Sequence, residues 1–334
     1  MEPMQSLNIL LSGVAEQRFS NEIAHALGTT PYRLLSADDA DSRAAQIAFV
    51  SRDVTGRSTK YELTDATRRF YDTMLEAPDL RWVHVHSAGI DRPVYLELHK
   101  RGVRVTTSSG ANARTVAHTA IAGLLALARH LPRLHEAQRE HAWRPQQGDA
   151  TPRDLPNQTA VVVGYGPIGQ TIAKLLDALD MNVIVVRRSV SADAKHRTVT
   201  FDALDSVLPQ ADWLILACPL TEQTTRLFDA KRLALLPAGA QLINVARGEV
   251  VVEEDLIEAL RGNVLAGACL DVFEHEPLNP ASPLWDLPNV IVTPHMAGQS
   301  DSHFEAVGRM WLENLARWVR NDTLVHEVPP YEGR

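Results

Sequence analysis

The stretch that decides the fold is Val161-Val162-Val163-Gly164-Tyr165-Gly166-Pro167-Ile168-Gly169, in which a run of valines enters a Gly-x-Gly-x-x-Gly turn. A helical pattern from Gln170 to Leu179 follows the turn, and a second strand is predicted from Met181 to Val186. The three glycines permit a tight turn, close approach of the backbone to a pyrophosphate and close packing of helix on strand. Free N–H groups at the start of the helix favour phosphate binding. The order of strand, turn, helix and strand therefore predicts a dinucleotide-binding unit.

Two arginines follow the second strand, at the position where such a unit meets the adenine ribose of its cofactor. An Asp or Glu usually stands here and accepts a hydrogen bond from the ribose 2′-hydroxyl. Arg187 and Arg188 stand there instead, and guanidinium groups suit a 2′-phosphate because they bind it by charge-assisted hydrogen bonds. We therefore expect NADP(H) to be preferred over NAD(H). The residues predicted to contact this part of the cofactor are Gly164, Gly166, Pro167, Ile168, Gly169, Arg187, Arg188 and Ser189.

Length, composition and charge are typical of an ordinary soluble protein with two domains. A chain of 334 residues is longer than one compact domain usually grows. Its residues are 45% hydrophobic and 22% charged, and its formal net charge is −8. An acidic chain has no basic field with which to attract a nucleic acid, so we expect no nucleic-acid partner.

Cysteine usage and hydropathy indicate a cytoplasmic protein. Cys218 and Cys269 lie in apolar runs, so we expect buried free thiols and neither a disulfide nor a metal site. The first residues include an acid and no basic region, unlike a signal peptide. The most apolar run, Ala120 to Ala128, is too short to span a bilayer, and we expect no membrane partner.

Short strands and helices alternate along the first part of the chain, which predicts a parallel sheet with helices on both faces. The predicted strands are Leu7 to Leu11, Tyr32 to Leu35, Ile47 to Val50, Trp82 to His86 and Val103 to Thr106. Helical spacing is found from Asn21 to Leu27 and from Thr64 to Leu75. A long apolar helix is predicted from Ala113 to His130, and Arg144 to Gln158 is predicted to be a surface connection.

A second α/β set begins at Thr159, and a last amphipathic helix, Ser302 to Val319, is expected to return to the first domain. The six strands predicted for this set are Ala160 to Val163, Val183 to Val186, Trp213 to Ala217, Gln241 to Val245, Ala266 to Asp271 and Val290 to Thr293. The predicted fold class is α/β with two doubly wound parallel-sheet domains. A flavodoxin-like substrate domain, residues 1–110 and 297–334, is expected to carry an inserted Rossmann NAD(P)-binding domain, residues 111–296.

Three ionisable residues, Arg247, Glu276 and His295, follow late strands of the second domain, where open α/β sheets bind ligands. A histidine can give a proton to a ketone oxygen that receives a hydride from a nicotinamide, and a nearby carboxylate orients it. An arginine can hold a substrate carboxylate and polarise the adjacent carbonyl. These residue types are those required to reduce a 2-keto acid. Glu274 is an alternative to Glu276 as the carboxylate.

Several motifs resemble those of the D-isomer-specific 2-hydroxyacid dehydrogenase family. They are Asn244-Val245-Ala246-Arg247-Gly248-Glu249-Val250-Val251, Leu270-Asp271-Val272-Phe273-Glu274-His275-Glu276-Pro277-Leu278, Ser282-Pro283-Leu284-Trp285, Thr293-Pro294-His295-Met296-Ala297-Gly298, Cys218-Pro219-Leu220-Thr221 with Thr224, and Ser87-Ala88-Gly89-Ile90-Asp91. The similarity extends from about Trp82 to the final helix, and several specific motifs occur in the family's order.

The resemblance implies a role for each matched residue. Arg247 is expected to bind the substrate carboxylate and carbonyl, His295 to act as acid and base, and Glu276 to be the partner of His295. The backbone N–H groups of Ala88 and Gly89 are expected to bind the substrate carboxylate from the first domain. The further cofactor-binding residues that the resemblance implies are Pro219, Thr224, Val245, Ala246, Gly298 and, at the nicotinamide carboxamide, Asp271.

The resemblance also implies an NAD(P)H-dependent reduction of a small 2-keto acid, such as glyoxylate or hydroxypyruvate, to the D-2-hydroxy acid, by a homodimer. Pro167 and Arg187 depart from the family pattern, in which an arginine stands in the glycine turn and an acid at the ribose. Selectivity depends on first-domain residues, for which Arg52 and Trp311 are candidates, although a surface arginine and a core tryptophan are simpler interpretations. The alternatives are a phosphite- or formate-type dehydrogenase and a non-catalytic nucleotide-sensing scaffold similar to the family's corepressors.

Overall fold

Two parallel sheets organise the chain, and each belongs to a different compact unit. The computed structural model describes residues 6–190 and 195–330. Unit 1 consists of Met1–Asn112 and Ser300–Arg334, and unit 2 of Ala113–Gln299. The predicted α/β class with two parallel sheets is confirmed.

The helices and strands alternate along both units. The strands are β1 (Leu7–Leu10), β2 (Tyr32–Leu35), β3 (Ile47–Val50), β4 (Trp82–Val85), β5 (Arg104–Thr107), β6 (Thr159–Val163), β7 (Asn182–Val186), β8 (Arg197–Val199), β9 (Trp213–Leu216), β10 (Gln241–Asn244), β11 (Gly267–Leu270) and β12 (Val290–Val292). The α-helices are α1 (Gly13–Leu27), α2 (Arg52–Thr55), α3 (Asp65–Glu76), α4 (Pro93–Lys100), α5 (Ala113–Ala128), α6 (Leu131–Arg139), α7 (Pro167–Asp177), α8 (Ala230–Leu233), α9 (Glu253–Arg261) and α10 (His303–Val319). Short 3-10 helices are Ser42–Ala44, Gly148–Ala150, Phe201–Ser206, Leu208–Gln210, Gly248–Val250 and Pro283–Trp285.

Unit 1 is a five-stranded sheet in the order β2-β1-β3-β4-β5. Every residue of β3 and β4 is buried, as expected for central strands of a parallel sheet that is covered on both faces. Ser12 caps α1 by accepting a hydrogen bond from the Ala15 N–H (3.1 Å), and Thr64 caps α3 in the same way from Thr67 (3.3 Å). The order 2-1-3-4-5 reverses direction between β1 and β3, which marks this edge as a candidate ligand position.

Helix α10 completes the core of unit 1, as predicted. The indole of Trp311 stacks on the ring of Phe49, with the ring centroids 4.3 Å apart. Trp311 is fully buried, so the interpretation of this residue as part of the core is correct. Gly308 faces Phe19 of α1 so closely that a Cβ on it would lie 2.1 Å from Phe19 Cζ. The backbone of α10 at Gly308 therefore packs directly on the Phe19 ring of α1.

Unit 2 is a seven-stranded sheet in the order β12-β11-β10-β9-β6-β7-β8. All residues of β9 and β11 are buried. Strand β6 lies between β9 and β7, and the turn after it leads directly into α7. This is the strand order of a doubly wound dinucleotide-binding domain with one further strand at its edge.

Several predictions on individual elements are wrong. The first helix, predicted from Asn21, begins at Gly13. The long helix expected from Ala113 to His130 ends at Ala128, because His130 adopts a left-handed conformation with φ of 53°, and α6 starts one residue later. The second sheet has seven strands rather than six, since β8 was not predicted. Helix α7 begins at Pro167, before the predicted start at Gln170.

Candidate active site

The glycine turn of unit 2 has the geometry that close approach of a phosphate needs. Gly164 has φ of +97°, and a Cβ on it would lie 2.6 Å from the Cα atom of Cys218. Gly166 is exposed, and no heavy atom lies within 4 Å of the position of its missing Cβ. Pro167 occupies the first turn of α7, where its missing N–H breaks no helical hydrogen bond. The turn therefore fits a pyrophosphate, with an open space at Gly166.

A groove of about 230 Å³ runs from this turn to the end of β7. Seven of the predicted cofactor-binding residues line it: Gly164, Gly166, Arg187, Arg188, Ser189, Pro219 and Thr224. Five lining residues were not predicted: Tyr165, Phe201, Cys218, Thr221 and Gln223. Ile168 and Gly169 lie in the first turn of α7 instead, with Gly169 buried. The groove joins the phosphate turn to the two arginines, as a dinucleotide requires.

Arg187 rests on an aromatic side chain that the sequence analysis missed. Its guanidinium carbon lies 5.8 Å from the centroid of the Tyr165 ring. The Tyr165 hydroxyl is 3.3 Å from Nδ1 of His196, and Nε2 of His196 is 3.0 Å from the Asp177 carboxylate. These contacts hold the ring beneath the guanidinium. The only signal in the sequence was an aromatic residue inside the glycine turn.

Arg247 stands at the carboxyl end of β10 on a loop that is fixed from two sides. Asn244 Nδ2 donates to the Arg247 carbonyl oxygen (3.1 Å), and Asn244 Oδ1 accepts from the Ala246 N–H (3.0 Å). A Cβ on Gly248 would lie 1.8 Å from the carbonyl carbon of Phe273, so only glycine allows this approach. The Arg247 loop is therefore packed against the loop after β11.

The acid–base pair predicted from the sequence is in direct contact. His295 Nδ1 lies 2.7 Å from Glu276 Oε2, and Glu276 Oε1 accepts from the Phe273 N–H at 3.2 Å. The alternative carboxylate, Glu274, accepts from the Glu253 N–H at 3.4 Å. The structure therefore brings Glu276 to the histidine and places Glu274 elsewhere. Arg247, Glu276 and His295 follow three adjacent strands, β10, β11 and β12.

Asp271 holds the backbone that carries His295. Its Oδ1 accepts from the Thr293 hydroxyl (2.6 Å) and the Met296 N–H (2.9 Å), and its Oδ2 accepts from the Ala297 N–H (3.0 Å). The His295 N–H donates to the Asp271 carbonyl oxygen (2.8 Å). Burial raises the pKa of the Asp271 carboxyl, and these hydrogen bonds oppose the rise. This fixing role was not foreseen from the sequence.

The remaining predicted residues lie near the same strand ends or in unit 1. Val245 and Ala246 are buried directly after β10, and Gly298 is half-buried three residues after His295. In unit 1, Ala88 and Gly89 form the loop after β4. The Ser87 hydroxyl donates to the Gly89 carbonyl oxygen (2.7 Å), which keeps this loop tight and leaves Ala88 exposed.

Other side-chain chemistry in the described residues is sparse. Cys218 and Cys269 are free and buried, and burial raises the pKa of each thiol to about 12. Within residues 6–190 and 195–330, no group of three His, Cys, Asp or Glu side chains is arranged to hold a metal ion. The helices in the same ranges are too short or too polar to cross a membrane. The site chemistry therefore rests on the nucleotide groove and on Arg247, Glu276 and His295.

Comparisons with known proteins agree with this geometry. Residues 121–297 match the family model described as D-isomer specific 2-hydroxyacid dehydrogenase, NAD binding domain. The glyoxylate reductase of Pyrococcus furiosus is 34% identical over 260 residues, which cover 76% of each chain. The solved structure of a D-isomer specific 2-hydroxyacid dehydrogenase from Xanthobacter autotrophicus, in complex with NADPH and MES, has a TM-score of 0.77 and 29% identity, and covers 97% of this chain and 98% of its own.

A second solved structure has its activity in its name. It is the NADPH-dependent glyoxylate/hydroxypyruvate reductase of Sinorhizobium meliloti, in complex with NADP and sulfate. Its TM-score is 0.75 at 27% identity, and the match covers 98% of this chain and 99% of that one. The likeness therefore extends over both units.

Proposed function

Because the chain belongs to the D-isomer-specific 2-hydroxyacid dehydrogenase family, we propose that it reduces a small 2-keto acid of the glyoxylate or hydroxypyruvate kind to the D-2-hydroxy acid. Family membership makes it an oxidoreductase that acts on CH–OH donors and uses a nicotinamide cofactor. The single observation that carries the proposal is the 2.7 Å contact between His295 Nδ1 and Glu276 Oε2. That contact leaves Nε2 of His295 as the ring nitrogen for the substrate.

In this proposal His295 moves the proton. Reduced nicotinamide, when bound, supplies the hydride that reaches the carbonyl carbon. His295 gives a proton from Nε2 to the carbonyl oxygen, on which negative charge develops. Glu276 orients the ring, and its charge balances the imidazolium before the proton leaves. Asp271 fixes the backbone on either side of His295, as its three hydrogen bonds support.

Arg247 and the loop of Ala88 and Gly89 bind the substrate. The guanidinium of Arg247 pairs with the substrate carboxylate and polarises the adjacent carbonyl, because a positive charge stabilises the developing oxyanion. Asn244 and the close approach at Gly248 hold Arg247 in place. The backbone N–H groups of Ala88 and Gly89 provide the second contact to the carboxylate.

NADPH is the preferred cofactor in this proposal, because Arg187 and Arg188 stand at the end of β7 in the groove. The phosphate turn and the start of α7 would hold the pyrophosphate. Pro219 and Thr224 line the same groove as the two arginines. In this proposal Val245, Ala246 and Gly298 also bind the cofactor, and Asp271 would lie at the nicotinamide carboxamide. We further propose that unit 1 is the substrate domain, that unit 2 is the NAD(P) domain, and that the protein is a cytoplasmic homodimer.

An absorbance assay tests the proposal. The purified protein would be given NADPH or NADH with glyoxylate, hydroxypyruvate and pyruvate, and loss of the reduced cofactor would be followed. We expect turnover with NADPH, and we expect His295→Ala to lower kcat by roughly 10²–10⁴-fold, the usual contribution of a general acid. Cofactor affinity, measured by fluorescence titration, should not change. Full activity of His295→Ala would overturn the assignment of the proton donor.

The same assay separates the alternatives. Turnover of phosphite or formate with oxidised cofactor, and of no 2-keto acid, would favour an anion dehydrogenase. Cofactor binding without turnover of any of these would favour a nucleotide-sensing scaffold. Equal efficiency with NADH would contradict the role given to Arg187.

A further inference from the structure

A polar cluster lies at the carboxyl edge of the unit 1 sheet, outside the residues assigned so far. Arg52 directly follows the residue after β3, and His86 directly follows β4. Ser12 and Ser51, which follow β1 and β3, are in contact through their hydroxyls (3.2 Å). The sheet order reverses between β1 and β3, and open α/β sheets bind ligands in the crevice at such a reversal. The cluster therefore stands where the fold is open to a ligand.

The positive charge of Arg52 has no counter-ion in the described part of the chain. Its side chain is partly buried, and among residues 6–190 and 195–330 no hydrogen bond or ion pair to its guanidinium is found. Burial lowers the pKa of Arg52, and the charge of Arg92 lowers it further. A partly desolvated cation without a partner is costly, so a protein normally supplies a carboxylate or leaves the place for an anion.

Arg92 adds a second positive charge, and no carboxylate of the described residues is found in direct contact with its guanidinium. Its Nη1 donates to the Thr59 carbonyl oxygen and its Nη2 to the Ser58 carbonyl oxygen, both at 2.7 Å. Because these carbonyl groups are neutral, they hold the guanidinium in place without neutralising its charge. The nearby carboxylate of Asp53 accepts from the Ser51 hydroxyl (2.6 Å) and makes no described contact to Arg52.

Two histidines beside the arginines are held neutral. They are His86 and His303, and their ring centroids lie 6.3 Å apart. Nε2 of His86 is 3.0 Å from the Thr55 hydroxyl. Burial lowers the pKa of His86 to about 3, and Arg52 and Arg92 contribute. Burial and Arg52 lower the pKa of His303 as well. Every charged group that shifts these two pKa values is a cation or an imidazole.

One nitrogen in the cluster lacks a partner. Nδ1 of His303 is buried, and none of the described residues hydrogen-bonds to it. A buried imidazole nitrogen without a partner costs stability unless a ligand or water completes it. Together with the bare guanidinium of Arg52, it offers two groups that a single small oxyanion can satisfy.

We infer that Arg52, Arg92 and His303 form an anion-binding site in unit 1 that takes a second negative group of the substrate. The inference rests on the proposed function, in which Ala88 and Gly89 of the same unit already bind the carboxylate beside the keto group. The preferred substrate is then a 2-keto acid with another carboxylate, or a comparable oxyanion, at its far end. Glyoxylate, which has no far end, uses only the first set of contacts.

Matched pairs of substrates test this inference. The kcat/KM with NADPH would be measured for oxaloacetate against 2-oxobutanoate and for 2-oxoglutarate against 2-oxopentanoate, which differ in the far carboxylate. We expect the doubly charged acid of at least one pair to be preferred. Arg52→Gln should lower its kcat/KM roughly ten- to hundredfold, the worth of a hydrogen bond to a charged group, and leave the singly charged acids unchanged. Arg52→Lys should restore part of the loss.

The control variant is Arg57→Gln, which removes an exposed arginine from the same segment and should change neither preference. An equal loss for both members of each pair, or no effect of Arg52→Gln, would overturn the second subsite while glyoxylate turnover upheld the proposed function. If no 2-keto acid reacts, the proposed function fails and calorimetric titration decides the site. Succinate should then bind the wild type and not Arg52→Gln, with butyrate as the singly charged control. If inorganic phosphate binds and succinate does not, the site takes a free anion, and its role in binding a substrate is refuted.

Discussion

The carboxylate of Glu276 contacts Nδ1 of His295, and replacing this carboxylate tests whether the contact supports catalysis. Glu276→Gln keeps the size of the side chain but removes the charge that faces Nδ1. We expect kcat to fall roughly ten- to hundredfold, because a hydrogen bond to a charged group contributes about 1.5–3 kcal/mol. Cofactor affinity should stay the same, since the groove does not include Glu276.

Glu274→Gln is the matched control for this experiment. Glu274 lies two residues away in the same loop, and its contacts include the Glu253 N–H and Arg226. Glu274→Gln leaves the contact between Glu276 and His295 in place, so it should lower kcat less than Glu276→Gln does. Equal losses in the two variants would mean that the loop, and not the contact with His295, decides activity. Stopped-flow or steady-state assays with NADPH would measure both.

The stacking of Arg187 on Tyr165 predicts a second residue-scale effect. Tyr165→Leu removes the ring beneath the guanidinium, and an exposed cation–π contact is worth about 0.5–1 kcal/mol. We expect the Kd of NADPH to rise roughly two- to fivefold, while the Kd of NADH, which has no 2′-phosphate, stays constant. Fluorescence titration with both cofactors measures the difference. A parallel loss for NADH would indicate general damage to the glycine turn.

At the scale of elements, the packing of α10 on α1 depends on Gly308. A Cβ there would lie 2.1 Å from Phe19 Cζ, and the Phe19 ring is itself stacked on Phe304 with centroids 5.5 Å apart. Gly308→Ala should therefore lower the free energy of unfolding by about 1–3 kcal/mol, the usual cost of overpacking a core. Urea unfolding would measure the loss.

Gly13→Ala serves as the control, because it adds the same methyl group to α1. No heavy atom lies within 4 Å of its Cβ position, and its φ is not positive. We expect unchanged or slightly higher stability, since alanine favours a helix over glycine. If both variants lose the same stability, the close approach at Gly308 is not the cause.

Some elements could be predicted from the sequence because burial on both faces leaves an unbroken apolar run. Strands β3 and β9 are of this kind. A three-residue edge strand such as β8, which begins with an exposed arginine, gives no such signal. The end of α5 was missed although the sequence contains a signal for it: Pro132, in the first turn of α6, disfavours a helix that continues unbroken through this point. The left-handed conformation of His130 sets the exact position of the break.

The residues of the candidate site, like the elements of the fold, were predictable only in part. Residue types at strand ends were enough to select Arg247 and His295, because the chemistry of a keto acid limits the choice. They could not choose between Glu274 and Glu276, which lie two residues apart in one loop and have different hydrogen-bond partners. The supporting roles of Asn244 and Asp271 depend on contacts between segments distant in sequence, so the structure alone reveals them.

At the scale of the whole molecule, a neutral buried histidine predicts loss of stability in acid. His84 is fully buried between the hydroxyls of Thr106 (2.8 Å) and Ser108 (3.0 Å), and burial lowers its pKa from 6.5 to about 3. Between these pH values the unfolded chain binds a proton that the folded chain does not. Stability contributed by His84 is therefore present above pH 6.5 and falls as the pH drops towards 3, by up to about 1.4 kcal/mol per pH unit.

Urea unfolding of the wild type and of His84→Gln over this pH range checks the prediction. The variant loses the hydrogen bonds of the imidazole, so the absolute stabilities are not compared, and its free energy of unfolding should depend less steeply on pH. The difference between the two slopes isolates His84 from the carboxylates, which titrate in both proteins. Identical slopes would show that the buried imidazole does not govern acid unfolding.

The discontinuous construction of unit 1 has a consequence while the protein is being synthesised. Phe49 and Trp82 leave the ribosome early, but Trp311 and Trp318 of α10, on which they stack, are translated only after the whole of unit 2. The nascent chain must therefore carry an incomplete apolar surface through most of translation, while the continuous segment of unit 2 is free to fold first. Chaperones that bind emerging chains should accordingly hold this protein by its N-terminal segment and release it once α10 has been made.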